Sequence, residues 1–197
     1  EKQLAGLASA ERRETILDYK RAVDLLPRDE YLPLIELAVP ALKMLSDKQY
    51  AVFHAAMRQY IQADEVFSFK EWILYQLISS QVGAEYGSNA VLKPSYARAR
   101  QSCVTLLAAL AWLKPDQISA GKTFIAGLRA MQLPVRPLPV KPKVEALIPA
   151  MDVLRRASEL VRENFIIGAE EVLGHNTEWT EEESMVMRLL LLCLGKR

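Results

Sequence analysis

Apolar residues recur at spacings of three and four along almost the whole chain, which is the period of an α-helix. No segment shows the strict alternation of a half-buried strand, so the pattern predicts an all-α protein, a bundle of about eight to nine helices. The expected helices span about 9–26, 32–45, 46–63, 68–82, 94–113, 115–131, 144–157, 158–173 and 181–194.

Short polar motifs mark several of the helix starts. In a capping box, a Ser or Thr side chain and a Glu or Gln three residues later each accept a hydrogen bond from a backbone N–H of the first turn. The motif occurs three times, as Ser46 with Gln49, Ser68 with Glu71, and Thr180 with Glu183.

One segment excludes helix. Residues 133–142 contain four prolines in ten positions, and proline both removes a backbone donor and fixes an extended conformation. We expect a semi-rigid strap over residues 133–143 on the surface.

The apolar pattern is used twice, with a constant shift of 112 positions and no gap. The shift carries Phe53 onto Phe165 and Glu71 onto Glu183. Repeats of this kind usually pack against one another to bury their apolar faces. The expected organisation is a single helical domain over 1–197. Its parts are repeat one at about 32–82, two inserted helices at about 94–132, the strap at 133–143, and repeat two at about 144–194.

Composition excludes several classes of protein. Apolar residues make up 51% of the 197 positions, enough for a substantial core, and the net charge of +1 does not favour a nucleic-acid partner. The apolar run from Val104 to Leu113 is too short to cross a bilayer, so no membrane span is expected. Cys103 and Cys193 lie in apolar helical patterns, which indicates buried, reduced thiols and a reducing compartment.

The repeated turns are the one regular polar feature. Asp64, Glu65 and Glu71 surround the first turn, and Glu183 lies at the second, beside His175, Asn176 and Glu178. Clustered carboxylates could begin a site for Ca²⁺ or Mg²⁺, so Asp64, Glu65, Glu71 and Glu183 are the candidate metal ligands. The capping role of Glu71 and Glu183 is the simpler interpretation.

Catalytic motifs are absent from the sequence. It contains no His-Glu-x-x-His pair, no Gly-rich phosphate loop and no nucleophile elbow, and its only histidines are His54 and His175. We therefore expect no catalytic residues and no cofactor in this chain. A group of basic residues could face an acidic partner or lipid headgroups, although a solvated surface is the ordinary interpretation: Arg98, Arg100, Arg129, Arg136 and Lys141.

Two stretches resemble a known family. Residues 32–46 with the turn at 61–71, and residues 148–194, are similar to the helical region that follows the catalytic domain in bacterial membrane zinc metallopeptidases of the HtpX kind. The turn from Ala63 to Glu71 also resembles TerB-like helical domains, which carry two acidic turns. The usual Ala-Asp-Gly is altered here, because Glu65 replaces the glycine and His175-Asn-Thr replaces the second triplet.

The resemblance implies a non-catalytic accessory domain of two TerB-like repeats, in a longer chain whose upstream catalytic domain binds the zinc. It implies that the partners are that peptidase domain and protein substrates, and that the location is the cytoplasmic face of the bacterial inner membrane. A groove between the repeats, roofed by the strap, is the expected partner site. The alternative is a TerB-like domain that binds a cation or small ligand through its acidic turns.

Overall fold

The computed structural model describes residues 10–27, 30–62, 69–83, 94–174 and 179–195. This part of the chain forms nine α-helices and contains no strand, which confirms the all-α prediction. The helices are α1 (Ala10–Asp24), α2 (Tyr31–Lys43), α3 (Asp47–Gln62), α4 (Phe69–Gly83), α5 (Tyr96–Ala111), α6 (Gln117–Ala130), α7 (Val144–Arg156), α8 (Glu159–Gly174) and α9 (Glu181–Cys193). None of the described helices is long and apolar enough to cross a membrane.

The helix bounds repeat with the shift seen in the sequence. Adding 112 to the first and last residues of α3 gives the first and last residues of α8. The same addition to the start of α4 gives the start of α9, and α2 and α7 are related by 113. The two copies of the pattern thus have matching secondary structure.

The chain divides into two compact units. Unit 1 comprises Glu1–Val66 and Ile78–Gly87, and unit 2 comprises Phe67–Leu77 and Ser88–Arg197. Helix α4 contributes its first nine residues to unit 2 and its last six to unit 1. Of the three helices expected in repeat one, α2 and α3 therefore lie in unit 1 and α4 is divided between the units.

Unit 2 is built around α5, which packs against α6, α7 and α8. From Ser102 to Ala111 every residue of α5 except Thr105 is buried, because neighbouring helices cover it on several sides. Helix α8 also packs along α6 and carries α9 on another side. The first part of α4 joins this core through Arg155 of α7, whose Nη2 donates to the backbone and side-chain oxygens of Gln76, both at 2.8 Å.

Two of the expected capping boxes are present. The Ser46 N–H donates to Gln49 Oε1 at 2.9 Å, and the Thr180 N–H donates to Glu183 Oε2 at 2.9 Å, with the reciprocal backbone bonds in both. The third box requires Ser68, which lies outside the described residues. At α5 the cap is Ser95, so Pro94 precedes the cap instead of occupying the first helical position.

Candidate functional site

The strap, residues 133–143, lies on α5. It contains no helix, as expected, and Trp112 Nε1 at the end of α5 donates to the Pro139 carbonyl at 3.0 Å. Arg136 Nη2 donates to Gln101 Oε1 at 3.5 Å. The helix beneath the strap is thus one of the inserted helices. A cleft lies between the strap and α5, and the expected groove between the repeats stays a prediction.

This strap cleft has a volume of about 230 Å³. Helix α5 contributes Gln101, Val104 and Thr105, and the strap contributes Arg136, Pro137, Pro139, Val140 and Pro142. Pockets that enclose a whole drug-sized ligand measure about 300–1,000 Å³. The cleft therefore suits one apolar side chain better than a complete small molecule.

The surface around the strap cleft is basic. Helix α5 and the strap, which form the cleft, contain five Lys and Arg residues and no acidic residue, although the whole chain is almost neutral. Arg98 lies three residues before Gln101 and Arg100 four residues before Val104, so both project near the cleft-lining positions of α5. These two arginines, with Arg136 and Lys141, are exposed.

A second exposed surface lies in unit 1. Helix α2 is apolar on two faces, and the face formed by Leu32, Ile35, Val39 and Leu42 is buried or half-buried. The other face, here called the α2 stripe, consists of Leu34, Leu37, Ala41 and Met44. Leu37 is 77% exposed and Met44 87%. Helices that are apolar all round are normally covered on all sides, so the α2 stripe is unusual for a solvated face.

The predicted acidic candidates do not form one described site. Asp64 and Glu65 lie outside the described residues, and Glu71 is half-buried in the first turn of α4. Glu183 forms an ion pair with Lys114, and their side chains are only 12% and 8% exposed. Lys114 Nζ also donates to the Leu173 carbonyl at 2.9 Å.

Lys114 thereby connects three elements. It follows α5, binds a carbonyl near the C-terminus of α8, and pairs with the capping glutamate of α9. A cation near a helix C-terminus and a carboxylate near a helix N-terminus both complement the helix dipoles. Burial alone would raise the pKa of Glu183, but hydrogen bonds from Lys114 and Thr180 outweigh burial and hold that pKa below its ordinary value.

The cysteines lie in apolar surroundings, as the sequence predicted. Both thiols are buried, and burial raises the pKa of Cys103 and that of Cys193 to about 12. Each thiol is therefore protonated at neutral pH and unsuited to act as a nucleophile. His54 is half-buried with its ring 5.6 Å from that of Tyr50, whereas His175 lies outside the described residues.

One aromatic expectation is corrected. The apolar repeat, which pairs Phe67 with Trp179, predicts that Trp179 inserts into the core beside the turn, but Trp179 is 38% exposed and contacts the end of α8 at Gly174. The corresponding Phe67 lies outside the described residues.

The sequence did not single out Gln101, Thr105, Trp112 or Lys114. Trp112 and Pro139 are 27 residues apart, and Lys114 and Glu183 are 69 apart. The sequence did show that the segment around the strap lacks acidic residues. This indicates a basic surface, but it does not indicate which helix the strap covers.

Among the described residues, no group of three or more His, Cys, Asp and Glu is placed to hold a metal ion. Comparison of the chain with protein-family models, with curated proteins and with solved structures gave no match.

Proposed function

We propose that this chain is a non-catalytic interaction domain of a membrane-associated zinc metallopeptidase. The resemblance of residues 32–71 and 148–194 to the region after the HtpX-like catalytic domain supports the parent enzyme. In this proposal the zinc and the catalytic groups belong to the upstream domain, at the cytoplasmic face of the bacterial inner membrane. The domain presents protein substrates to the peptidase or regulates its access to them.

The observation that carries the interaction role is the α2 stripe. Leu34, Leu37, Ala41 and Met44 recur at helical spacing on one face of α2, opposite the face that the core of unit 1 covers. Exposed apolar patches on folded proteins are typical of surfaces that bind another protein. We assign the α2 stripe to contact with the peptidase domain.

The test compares two substrates of the parent enzyme. The reading frame upstream of Glu1 is first sequenced, and we expect a His-Glu-x-x-His helix flanked by apolar spans. The full-length enzyme and a version lacking these 197 residues are then purified in detergent and given a misfolded membrane protein and a short unstructured fluorogenic peptide. An interaction domain predicts slower cleavage of the protein and unchanged cleavage of the peptide.

A surface variant links the effect to the α2 stripe. Leu37→Glu introduces a charge at a 77% exposed position, so the fold should tolerate it while docking is lost. The matched control is Val52→Glu, which alters an apolar side chain of α3 that is 71% exposed. Unchanged cleavage of both substrates without the domain, or an upstream frame without the zinc motif, contradicts the proposal.

A further inference from the structure

We infer that the strap cleft binds an extended acidic peptide segment that places one apolar side chain between the strap and α5. The inference rests on the proposed function in one respect, since it gives the chemical class of protein segment that the interaction domain would receive. Its site is separate from the α2 stripe and lies wholly within unit 2.

Charge is the first argument for the occupant. Arg136 lines the cleft, and Arg98, Arg100 and Lys141 are exposed on the two elements that form it. None of the four forms an ion pair with an acidic residue in the described part of the chain. Helix α5 and the strap contain no acidic residue at all. Complementary charge steers partners and fixes the register of binding, so a segment rich in Asp and Glu fits this surface.

The lining of the cleft is the second argument. Val104, Thr105 and the strap prolines form a concavity of about 230 Å³, with the polar groups of Gln101 and Arg136 at its edge. A small apolar recess with polar groups around it suits a single anchoring side chain. Burying an aliphatic side chain strengthens binding in proportion to the apolar area removed from water, which would distinguish a specific partner from any acidic chain.

The backbone of the strap is the third argument. Within the described residues, the N–H groups of Val135, Arg136, Leu138, Val140 and Lys141 donate no hydrogen bond. An extended peptide lying beside the strap can accept, through its own carbonyls, from those of these donors that face it. Main-chain hydrogen bonds of this kind give affinity, and a peptide side chain that enters a pocket gives specificity.

These features favour a peptide over a lipid surface. A membrane meets a protein as a broad face, whereas here the apolar lining is concave and lies between two walls held together by the Trp112–Pro139 bond. Of the basic side chains, Arg136 lines this recess. An anionic membrane remains the competing occupant in the test.

The experiment measures fluorescence anisotropy of the full 197-residue chain with a fluorescein-labelled nonapeptide, one central leucine flanked by four glutamates on each side. One control peptide replaces the leucine by glycine, and another replaces the glutamates by glutamines. We expect the leucine peptide to bind about fivefold or more tightly than the glycine peptide, because an aliphatic anchor is lost. The glutamine peptide should bind more weakly than either, and added salt should weaken glutamate-peptide binding.

A charge-reversal pair locates the site. Arg136→Glu changes a side chain in the cleft, and Lys122→Glu makes the same charge change at an exposed position of α6 that does not line it. Arg136→Glu should weaken binding at least about fivefold more than Lys122→Glu. Thr105→Phe fills the cleft and should abolish the preference for leucine. Gln101→Trp fills it from an exposed position if the first variant does not fold.

Each outcome of the peptide-binding experiment either supports or overturns the inference. Leucine-dependent binding that is lost in Arg136→Glu supports the inference, whatever the effect of the domain on proteolysis. No peptide binding, equal loss in the two charge variants, no preference for leucine, or capture only by vesicles of phosphatidylcholine and phosphatidylglycerol overturns it. The peptide assay can fail while removal of the domain still slows cleavage of the protein substrate. The proposed function would then hold, but the strap cleft would not be its binding site.

Discussion

Gly127 and Gly168 allow α6 and α8 to pack with their backbones close together. A Cβ atom added at Gly127 would lie 2.5 Å from Val172 Cγ2 and 2.9 Å from the Gly168 carbonyl oxygen. One added at Gly168 would lie 2.6 Å from Met131 Cγ. These distances are shorter than normal van der Waals contact, and part of the obstruction is backbone, which cannot rotate away. The absence of a side chain at both positions therefore determines how closely the helices approach.

This close approach predicts opposite effects for two alanine substitutions in α6. Gly127→Ala should destabilise the protein by about 2 kcal/mol through overpacking. Gly121→Ala should stabilise it by up to about 1 kcal/mol, because no atom lies within 4 Å of the added Cβ and alanine is the better helix former. Urea unfolding of the two variants and the parent tests the pair. Equal effects would mean that the α6–α8 contact is not as close as described.

Lys114 offers a second residue-scale prediction. Lys114→Met removes the partner of a carboxylate that is only 12% exposed, and uncompensated buried charges are costly. We expect a loss of about 3 kcal/mol at neutral pH. Lys122→Met, which removes an exposed charge from α6, is the control and should change stability by less than about 0.5 kcal/mol. Thermal and urea unfolding measure both variants. Equal losses of stability would contradict a stabilising role for the Lys114–Glu183 ion pair.

The same ion pair predicts a pH dependence. The pKa of Glu183 is lower in the folded protein than its ordinary value of 4.5, so the carboxylate stabilises the fold above that pH. This contribution is lost as the pH falls below 4.5 through the folded-state pKa. Glu183→Gln should be less stable than the parent at pH 7, and the difference should shrink as the pH falls. Urea unfolding across this range tests the sign, with Glu181→Gln, an exposed neighbour, as the control.

At the scale of elements, local signals predicted the helices well. The helix starting after Ser46 and the one starting after Thr180 begin where their capping boxes place them, because a capping box acts within four consecutive residues. The prolines of the strap likewise act on their own backbone, and the segment contains no helix, as expected. A sequence therefore predicts a structural feature well when the residues that cause the feature lie within a few positions of the backbone they affect.

Contacts between distant residues were not predictable in the same way. Nothing near Pro139 indicates that Trp112 binds it, and nothing near Glu183 indicates Lys114. The repeat predicted equivalent helices but not their unequal surroundings: Phe165 is fully buried, whereas Phe53 at the equivalent position is only half-buried. Trp179 was misplaced for the same reason, since its exposure depends on packing at the end of α8.

The strap itself supplies a prediction at this scale. Trp112→Phe keeps the aromatic ring but removes the Nε1–H that donates to Pro139, which should cost about 1 kcal/mol of stability. The strap should then open more often, and thermolysin should cut it faster near Val140. The control is Trp179→Phe, whose ring lies at the end of α8. An unchanged rate of strap cleavage in Trp112→Phe would show that this hydrogen bond does not hold the strap.

At the scale of the whole molecule, charge is unevenly divided. Residues 94–143 carry eight basic side chains and one acidic side chain, so the rest of the chain, with 17 basic and 23 acidic residues, is net negative. The net charge of +1 conceals this division. Overall composition therefore argued correctly against a uniformly basic protein, but it could not reveal the local excess of basic residues in 94–143.

The division of α4 between units predicts where the chain can be cut. Its residues Phe69–Leu77 belong to unit 2, where the Ile73 carbonyl lies 3.8 Å from Cys193 Sγ and Arg155 binds Gln76. Trp72, Ile73 and Leu77 are fully buried. A fragment spanning 69–197 should therefore retain the core of unit 2, while a fragment spanning 94–197 loses these side chains.

Burial of three large apolar side chains is worth roughly 5–9 kcal/mol, which is comparable with the whole stability of a small domain. We expect the 69–197 fragment to unfold cooperatively and the 94–197 fragment to be unfolded or far less stable, as measured by circular dichroism during heating. Arg155→Met in the longer fragment should give an intermediate loss, because the backbone carbonyl and side chain of Gln76 lose their donor. Equal melting temperatures for the two fragments would mean that α4 is not part of the core of unit 2.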